Sequence, residues 1–315
     1  MKFDITTFTV ESALKPQIIH GLYYSPVVKA NTKAIVQIAH GMAEHKERYN
    51  EFASFLAENG YAVFVHDHLG HGESVESDDY LGYFGEEDGW KNLVNDCNTI
   101  TNYAREIFED KPVVLFGHSM GSFIARAYTR MFDLALDAVV FCGTSGANPA
   151  AGIAVKLADA VARSKGSFYR SELINTLAFG TYNKKFKPQR TAFDWLTSDN
   201  EIVDKYVADK YCGFLFTACG YRDLFSVLKY VSDKKWYKAV RKNLPILLVS
   251  GDADPVGEYG SGVKQVAADL KKTGHKEVEL ILYKGMRHEI LNEVERSVVM
   301  NDVLNWLEEK TQKSK

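Results

Sequence analysis

Residues 112–131 read Pro112-Val-Val-Leu-Phe-Gly-His-Ser-Met-Gly-Ser-Phe-Ile-Ala-Arg-Ala-Tyr-Thr-Arg-Met131. An apolar run, a Gly-x-Ser-x-Gly turn and a helix-like segment follow one another in this stretch. The order predicts a buried strand over Pro112–Phe116, a sharp turn at Ser119 and a helix over 122–131. Such a turn projects the serine hydroxyl clear of the strand end, so Ser119 is the predicted nucleophile. The alternative is a tight turn whose serine has no chemical role.

The rest of the chain repeats this strand-and-helix rhythm. An opening antiparallel pair is expected in residues 8–24. Apolar strand candidates follow at 34–39, 61–65, 112–116, 138–142, 245–249 and 278–283. Near-continuous apolar strands separated by helices are typical of a parallel sheet that is covered on both faces. The predicted fold class is α/β, with a mostly parallel eight-stranded sheet and helices on both of its faces.

The rhythm is interrupted between about Pro149 and Asn243, a stretch rich in aromatic residues but without a strong strand pattern. We interpret it as a helical insertion between two sheet strands. Insertions there lie over the carboxyl ends of the strands, where such sheets bind ligands. The predicted organisation is a first core part over 1–148, a helical cap over 149–243 and a second core part over 244–315.

Composition restricts the classes of protein. The 315 residues are 46% hydrophobic with a formal net charge of −3, which argues against a disordered chain and against bulk nucleic-acid binding. Four cysteines without a Cys-x-x-Cys pair are typical of a reducing compartment. Met1-Lys-Phe-Asp4 does not resemble a signal peptide, and no apolar run reaches the roughly 18 residues of a membrane span. We expect a cytoplasmic protein, whose oligomeric state the sequence does not determine.

An acid and a base are expected after the strand candidates at 245–249 and 278–283, because hydrolases with this turn place the three groups in the order Ser, Asp, His along the chain. Asp254, before Pro255, is the predicted acid, and Asp252 is its rival. His288 is the predicted base, which takes the proton of Ser119 while the acid orients its ring. Turn-capping aspartates and a histidine without a chemical role are the alternative.

Two backbone N–H groups are expected to stabilise an oxyanion. One belongs to Met120, directly after the nucleophile. The other is assigned to Met42, in the loop after the strand at 34–39. The neighbouring His40 is interpreted as a structural residue that braces this loop.

A metal site is the competing interpretation. His66, Asp67, His68 and His71 follow a strand, and His/Asp clusters bind zinc. Gly70 stands where a binuclear hydrolase would need an acid, and no second cluster of ligands is evident in the sequence. Asp67, Gly70 and Gly72 are therefore interpreted as shaping the loop, and neither a metal nor another cofactor is predicted.

Several motifs resemble one known family. They are His40-Gly-Met-Ala-Glu-His45 with Arg48-Tyr49, Asp67-His-Leu-Gly-His-Gly-Glu-Ser74, Gly117-His-Ser-Met-Gly121, Gly251-Asp-Ala-Asp254 and His288. Together they resemble the lysophospholipase and monoacylglycerol lipase branch of the serine α/β-hydrolases, also described as serine aminopeptidase-like. The resemblance implies the α/β-hydrolase fold with a helical cap, the triad Ser119, Asp254 and His288, and the oxyanion donors Met42 and Met120.

The resemblance also implies a substrate class. It indicates a small-molecule ester of an amphiphilic acyl group and transient contact with a membrane or micelle surface. Glu44 and Arg48 are expected near the head group, with a structural ion pair between them as the alternative. Monoacylglycerol lipases of this branch tend to carry a second histidine three residues after the catalytic one, where this chain has Leu291. A monoacylglycerol, a lysophospholipid and a simple ester all remain open as substrates.

Other functions stay open as well. The alternatives are a thioesterase or peptidase using the same triad, and a non-catalytic binding protein of this fold. Aromatic residues of the inserted segment could form an acyl channel, and a basic group could meet a polar or anionic head group at its rim; this group comprises Lys184, Lys185, Lys187 and Arg190.

Overall fold

One eight-stranded sheet organises the protein in the computed structural model, which describes residues 2–311. The strands are β1 Phe3–Glu11, β2 Ile18–Pro26, β3 Ile35–Ala39, β4 Ala62–His66, β5 Val113–His118, β6 Ala138–Cys142, β7 Ile246–Gly251 and β8 Val278–Tyr283. Their order across the sheet is β1-β2-β4-β3-β5-β6-β7-β8. Strand β2 runs antiparallel to both β1 and β4, and all other neighbours are parallel. The predicted fold class is confirmed.

Ten α-helices accompany the sheet within residues 2–311. They are α1 Asn50–Glu58, α2 Gly89–Ile107, α3 Met120–Met131, α4 Ala151–Lys165, α5 Glu172–Phe179, α6 Asn200–Ala208, α7 Ala218–Ser232, α8 Lys234–Ala239, α9 Ser261–Lys272 and α10 Arg296–Thr311. None of the helices in this part of the chain combines the length and apolar character needed to cross a membrane.

Alternation along the central strands produces two hydrophobic layers. In β5, Val113 and Leu115 pack on the layer that contains α2, α3 and α9, whereas Val114 and Phe116 pack on the layer that contains α1 and α10. Successive side chains of a strand point to opposite faces of the sheet, so a strand that is apolar at every position must be covered on both sides.

The first strand is longer than the sequence pattern indicates. It begins at Phe3 instead of Phe8 and pairs along its whole length with β2, from Phe3 opposite Pro26 to Glu11 opposite Ile18. Residues 4–7 of this edge strand are exposed. Apolar residues stand at positions 3 and 5 and then at 8 and 10, so the alternation changes phase within the strand and periodicity indicated only its second half.

Between β6 and β7 lie the helices α4 to α8, with a single isolated bridge between Arg170 and Thr217. Helix α4 packs along α7, while α7 also contacts α2 and α3. Helix α8 packs on α3, where the buried Trp236 lies beneath the guanidinium of Arg126. The inserted helices are therefore anchored to the helical layer that carries the Ser119 turn.

Parallel register brings the carboxyl ends of the central strands to one edge. Ala39 is opposite Gly117, His118 is opposite Cys142, and Gly251 is opposite Tyr283. Every catalytic and oxyanion residue predicted from the sequence follows one of these strand ends, either in the loop or, for Met120, at the start of α3.

Candidate active site

Ser119 occupies a strained turn between β5 and α3. Its backbone has φ 52° and ψ −118°, a conformation that residues with a Cβ atom rarely adopt. A Cβ on Gly117 would lie 2.3 Å from the carbonyl oxygen of Gly121, and one on Gly121 would lie 2.0 Å from that of Ala39. The two glycines are therefore required by the close approach of backbone on either side of the turn.

Asp254 and His288 come together at the ends of β7 and β8. Nδ1 of His288 lies 3.0 Å from Oδ2 of Asp254, and both side chains are fully buried. This separation is that of an ion pair, although the N–H direction falls short of a well-aligned hydrogen bond. Asp254 also accepts from the N–H of Val256 at 2.8 Å and from Oγ of Ser250 at 3.2 Å. Its carboxylate is thereby held toward the imidazole.

Asp252, the rival acid, occupies a different environment. Its side chain is exposed and accepts the N–H of Gly285 at 2.7 Å. It therefore ties two loops together at the surface, whereas Asp254 contacts the histidine.

His288 faces opposing electrostatic effects. Burial disfavours the charged ring, but Asp254, followed by Glu289 and Glu44, raises the pKa of His288 above its ordinary value. The imidazolium is therefore stabilised where a general base has to hold a proton temporarily.

Met42 and Met120 present the two expected backbone donors. Met42 lies in the turn after β3, and Met120 is the first residue of α3. Neither N–H has an acceptor among residues 2–311. The N-terminus of α3 also adds a positive partial charge beside Ser119. Both donors line the same cavity as Ser119 and His288, so an oxyanion formed there would find unpaired N–H groups.

His40 braces this loop, as its sequence context predicts. Its Nδ1 lies 2.8 Å from the carbonyl oxygen of Gly41, and its Nε2 accepts the N–H of His68 at 3.0 Å. His71 accepts the N–H of Ala43 at 3.2 Å. Burial lowers the pKa of His71 to about 3 and that of His40 well below its ordinary value, so both rings are neutral.

The competing metal cluster is only partly assembled. His66 and His68 share a hydrogen bond of 3.1 Å between ring nitrogens, and with Cys97 they bring ligand atoms within 4.8 Å of one another. Asp67 points elsewhere, since its carboxylate pairs with Nζ of the buried Lys46 at 2.7 Å. A Cβ on Gly72 would lie 2.3 Å from that carboxyl group, which explains the glycine there.

One further group within residues 2–311 has metal-ligating side chains, namely His45, Asp209 and Cys212. His45 lies between two carboxylates, at 2.6 Å from Glu47 and 2.9 Å from Asp209. Burial opposes its charge, but hydrogen bonds to Cys212 and the two carboxylates raise the pKa of His45 to about 11. The ring of His45 is therefore occupied by contacts with the two acids.

A cavity of about 570 Å³ opens at Ser119 and extends beneath the inserted helices. Its wall is mainly apolar, with contributions from α3, α4, α5 and α7; representative residues are Phe123, Ala154, Leu157, Ile174, Leu224 and Phe225. The acidic residues that line it are Glu44, Glu258 and Glu289, and within residues 2–311 no lysine or arginine does so.

The basic residues expected at the rim lie outside this lining. Nζ of Lys185 is 3.3 Å from the centre of the Tyr259 ring, and Arg190 pairs with Asp204 at 2.5 Å. Lys184 and Lys187 are likewise absent from the cavity wall among the described residues. The cavity wall therefore contains none of these four basic side chains.

Arg48 bonds the carboxylates of Glu44 and of Glu289, and Glu289 was not predicted as a site residue from the sequence. Arg48 contacts Glu44 at 2.6 Å and also forms two bonds, of 2.7 and 2.6 Å, with the carboxylate of Glu289. Glu44 lines the cavity, whereas Arg48 does not. Glu289 follows His288 directly, and that adjacency is the only sequence signal that could have identified it.

Comparison with known proteins identifies the family of this chain. The family described as serine aminopeptidase, S33, matches residues 30–295. The chain belongs to this family. The family fold is an α/β-hydrolase, and the protein is a serine ester hydrolase of the lipase and esterase type.

The similarity to individual members of the family extends over most of the chain. A monoacylglycerol lipase of Mycolicibacterium smegmatis is 28% identical, with 87% of this chain and 88% of the relative covered. A carboxyl esterase of Bacillus coagulans, solved in complex with glycerol, superposes with a TM-score of 0.91 and 27% identity over 98% of this chain and 99% of that one. A monoglyceride lipase of Saccharomyces cerevisiae has the same fold, with a TM-score of 0.77 at 18% identity over 97% and 96% of the two chains.

Proposed function

We propose that the protein hydrolyses carboxylic esters of single-chain, amphiphilic acyl substrates through Ser119, His288 and Asp254. The observation that carries this proposal is the strained turn of Ser119, which opens into the same cavity as a histidine 3.0 Å from a buried aspartate. A nucleophile, a base and an orienting acid are the groups that acyl transfer requires.

The proposed reaction has two halves. Oγ of Ser119 attacks the ester carbon while His288 takes its proton, and the C–O bond to the alcohol then breaks as His288 returns a proton to the leaving oxygen. In the second half, water attacks the acyl-enzyme in the same way and the carboxylic acid is released. The N–H groups of Met42 and Met120 are assigned to the oxyanion, where removing one donor typically costs roughly 10²–10³-fold in kcat.

The shape of the cavity supports an acyl chain as the buried part of the substrate. We propose that residues 149–243 form a cap that closes an apolar channel over Ser119. The wall of the cavity includes Phe123 on α3, Ala154 on α4 and Leu224 on α7. Each methylene buried there contributes about 0.8 kcal/mol, so longer chains gain affinity until the channel is full.

The charges of the cavity support a neutral head group. Three glutamates line the wall, and the basic residues 184–190 lie outside it. Arg48 pairs with Glu44 and Glu289, and no lysine or arginine lines the wall within residues 2–311. An anionic phosphate would therefore find no cationic partner there, whereas a neutral glycerol needs none. A monoacylglycerol or simple neutral ester is therefore preferred over a lysophospholipid. This preference agrees with the relatives that are named monoacylglycerol or monoglyceride lipases.

Exposed apolar side chains near the opening support transient contact with a lipid surface. Leu157 and Leu177 line the cavity and are also 37% and 64% exposed. Ile153 and Leu173, on the same two helices, are exposed as well. Such a patch beside a substrate channel fits a micelle or membrane from which single-chain esters are extracted.

A labelling and turnover experiment tests the proposal. A fluorophosphonate should label wild-type protein at Ser119 and should leave Ser119→Ala unlabelled. A substrate panel at equal acyl length should rank monoacylglycerol and p-nitrophenyl ester above lysophosphatidic acid, an acyl-coenzyme A and an aminoacyl amide. Absence of labelling would favour a binding protein, and faster amide or thioester cleavage would favour the peptidase or thioesterase alternatives.

A further inference from the structure

Arg48 bridges two loops that approach the cavity from opposite ends of the chain. Its Nη1 donates to Glu44 at 2.6 Å and to Glu289 at 2.7 Å, and its Nη2 donates to Glu289 at 2.6 Å. The guanidinium also stacks over the ring of Tyr206, 4.8 Å from its centre. All three members of this Glu44–Arg48–Glu289 bridge are largely withdrawn from solvent.

One end of the bridge holds the loop that carries an oxyanion donor. Oε1 of Glu44 accepts the N–H of Gly41 at 2.5 Å and the hydroxyl of Tyr49 at 2.9 Å. A Cβ on Gly41 would lie 2.7 Å from that oxygen, so the carboxylate is packed against the turn itself. Since Met42 follows Gly41, moving Glu44 would move the Met42 N–H.

The other end holds the loop of the base. Glu289 follows His288, and its carboxylate accepts a third bond from Asn292 at 3.0 Å. Its N–H donates to the carbonyl oxygen of Leu196 at 2.7 Å, while the ring of His288 packs 5.1 Å from that of Trp195. The position of the His288 ring therefore depends on where Glu289 is held.

We propose that Arg48 is a positioning residue that sets the distance between the Met42 N–H and the His288 ring. The proposal rests on the proposed function, which assigns Met42 to the oxyanion and His288 to the proton. It replaces the substrate contact expected for Arg48 from the sequence, because Nη1 and Nη2 of Arg48 both bond carboxylates and its side chain does not line the cavity.

The planar fork of arginine suits this task. A guanidinium can bond two carboxylates in fixed directions, whereas a lysine ammonium is a compact point charge without a fork. A misplacement of about 1 Å in an active site can cost roughly 10²-fold in rate. Lysine at position 48 should therefore keep the charge and lose the geometry.

The bridge also places charge near the base. Although burial opposes ionisation, Arg48 holds the pKa of Glu289 at about 2, so this carboxylate is charged. The groups that face His288 are Asp254 after β7, His118 at the end of β5, and Glu44 and Glu289 on the two bridged loops. Replacing Glu289 with the isosteric glutamine removes one of the negative charges that raise the pKa of His288.

Steady-state kinetics on a short soluble ester, where binding is weak, test the proposal. Arg48→Lys should lower kcat by about 10–100-fold with KM within about threefold, because the loss arises from geometry. Arg296→Lys, at an ion pair with Glu51 outside the cavity wall, is the matched control and should keep wild-type kcat. An unchanged kcat, or a raised KM with unchanged kcat, would overturn the positioning role.

A double-mutant cycle separates this role from general destabilisation. Glu44→Gln and Glu289→Gln are isosteric and should remain folded by circular dichroism at the assay temperature. Because each breaks the same bridge, their combined loss in kcat should be clearly smaller than the product of the single losses. Glu289→Gln should also move the rising limb of the kcat/KM pH profile to lower pH. Multiplicative losses, or an unmoved pH profile, would contradict the proposal, whereas failure of the proposed function would appear separately as full activity in Ser119→Ala.

Discussion

Oδ2 of Asp254 lies 3.0 Å from Nδ1 of His288 in an environment closed to solvent. The two residues come from loops after neighbouring parallel strands, and Val256 and Ser250 hold the carboxylate in place. In the proposed mechanism, this contact fixes which ring nitrogen of His288 carries the proton and leaves Nε2 to accept the proton of Ser119.

Replacing the two aspartates tests this contact. Asp254→Asn should lower kcat by roughly 10⁴-fold, because an amide does not enforce the productive tautomer of His288. Asp252→Asn should lose less than about tenfold, since its exposed carboxyl group only ties the loop at Gly285. Both variants are assayed with the same ester, and a larger loss in Asp252→Asn would reassign the acid.

Replacing Ser119 tests both chemistry and strain. Ser119→Ala should lose ester hydrolysis to a residual rate of roughly 10³–10⁴ over water while circular dichroism stays native. Ser119→Gly should be equally inactive but more stable than Ser119→Ala by about 1 kcal/mol, since glycine accepts the positive φ of 52° without strain. Denaturant unfolding measures the difference. A glycine variant less stable than the alanine variant would show that the turn is not strained.

The pH dependence of kcat/KM reports the protonation of His288. A protonated ring cannot accept the Ser119 proton, so activity is lost as the pH falls through the pKa of His288. Since Asp254 and the nearby glutamates raise this pKa, the midpoint of the rise should lie above the ordinary value of about 6.5. A profile that is maximal near pH 4 would argue against a histidine base.

Filling the channel tests the acyl site. Ala154 lines the cavity on α4, so Ala154→Phe should shift the preferred p-nitrophenyl ester to a shorter chain while acetyl ester turnover changes little. Ala160→Phe places the same side chain on an exposed position of that helix and serves as the control. An unchanged chain-length profile in Ala154→Phe would place the acyl chain elsewhere.

Chelation distinguishes the serine mechanism from the metal hypothesis. Prolonged incubation with EDTA should leave esterase activity unchanged, because every proposed step uses protein groups. Inductively coupled plasma analysis of the dialysed protein serves as the check on metal content. Loss of activity that added zinc restores would instead support a role for the His66, His68 and Cys97 group.

Much of the fold was predictable because its signals are local. The buried strand β5 is apolar at each position from Val113 to Phe116, and the helix predicted over 122–131 is observed as Met120–Met131. The edge strand β1 was underestimated because its apolar alternation changes phase between Ile5 and Phe8. The basic segment at 184–190 was expected at the channel rim; Lys185 packs on Tyr259 and Arg190 pairs with Asp204, and neither side chain is part of the cavity wall.

Ser119, its flanking glycines and the strand that precedes it were readable from the sequence, because a tight turn constrains neighbouring residues through direct steric contact. The order Ser, Asp, His along the chain was also readable, because each of these residues follows a strand candidate. The tertiary structure alone shows that Asp254, and not Asp252, contacts His288, and it alone joins Arg48 to Glu289, residues 241 positions apart. Contacts of that kind depend on how parallel strands align their carboxyl ends and on which charges are buried together. Neither property is encoded in the local pattern of residues around each position.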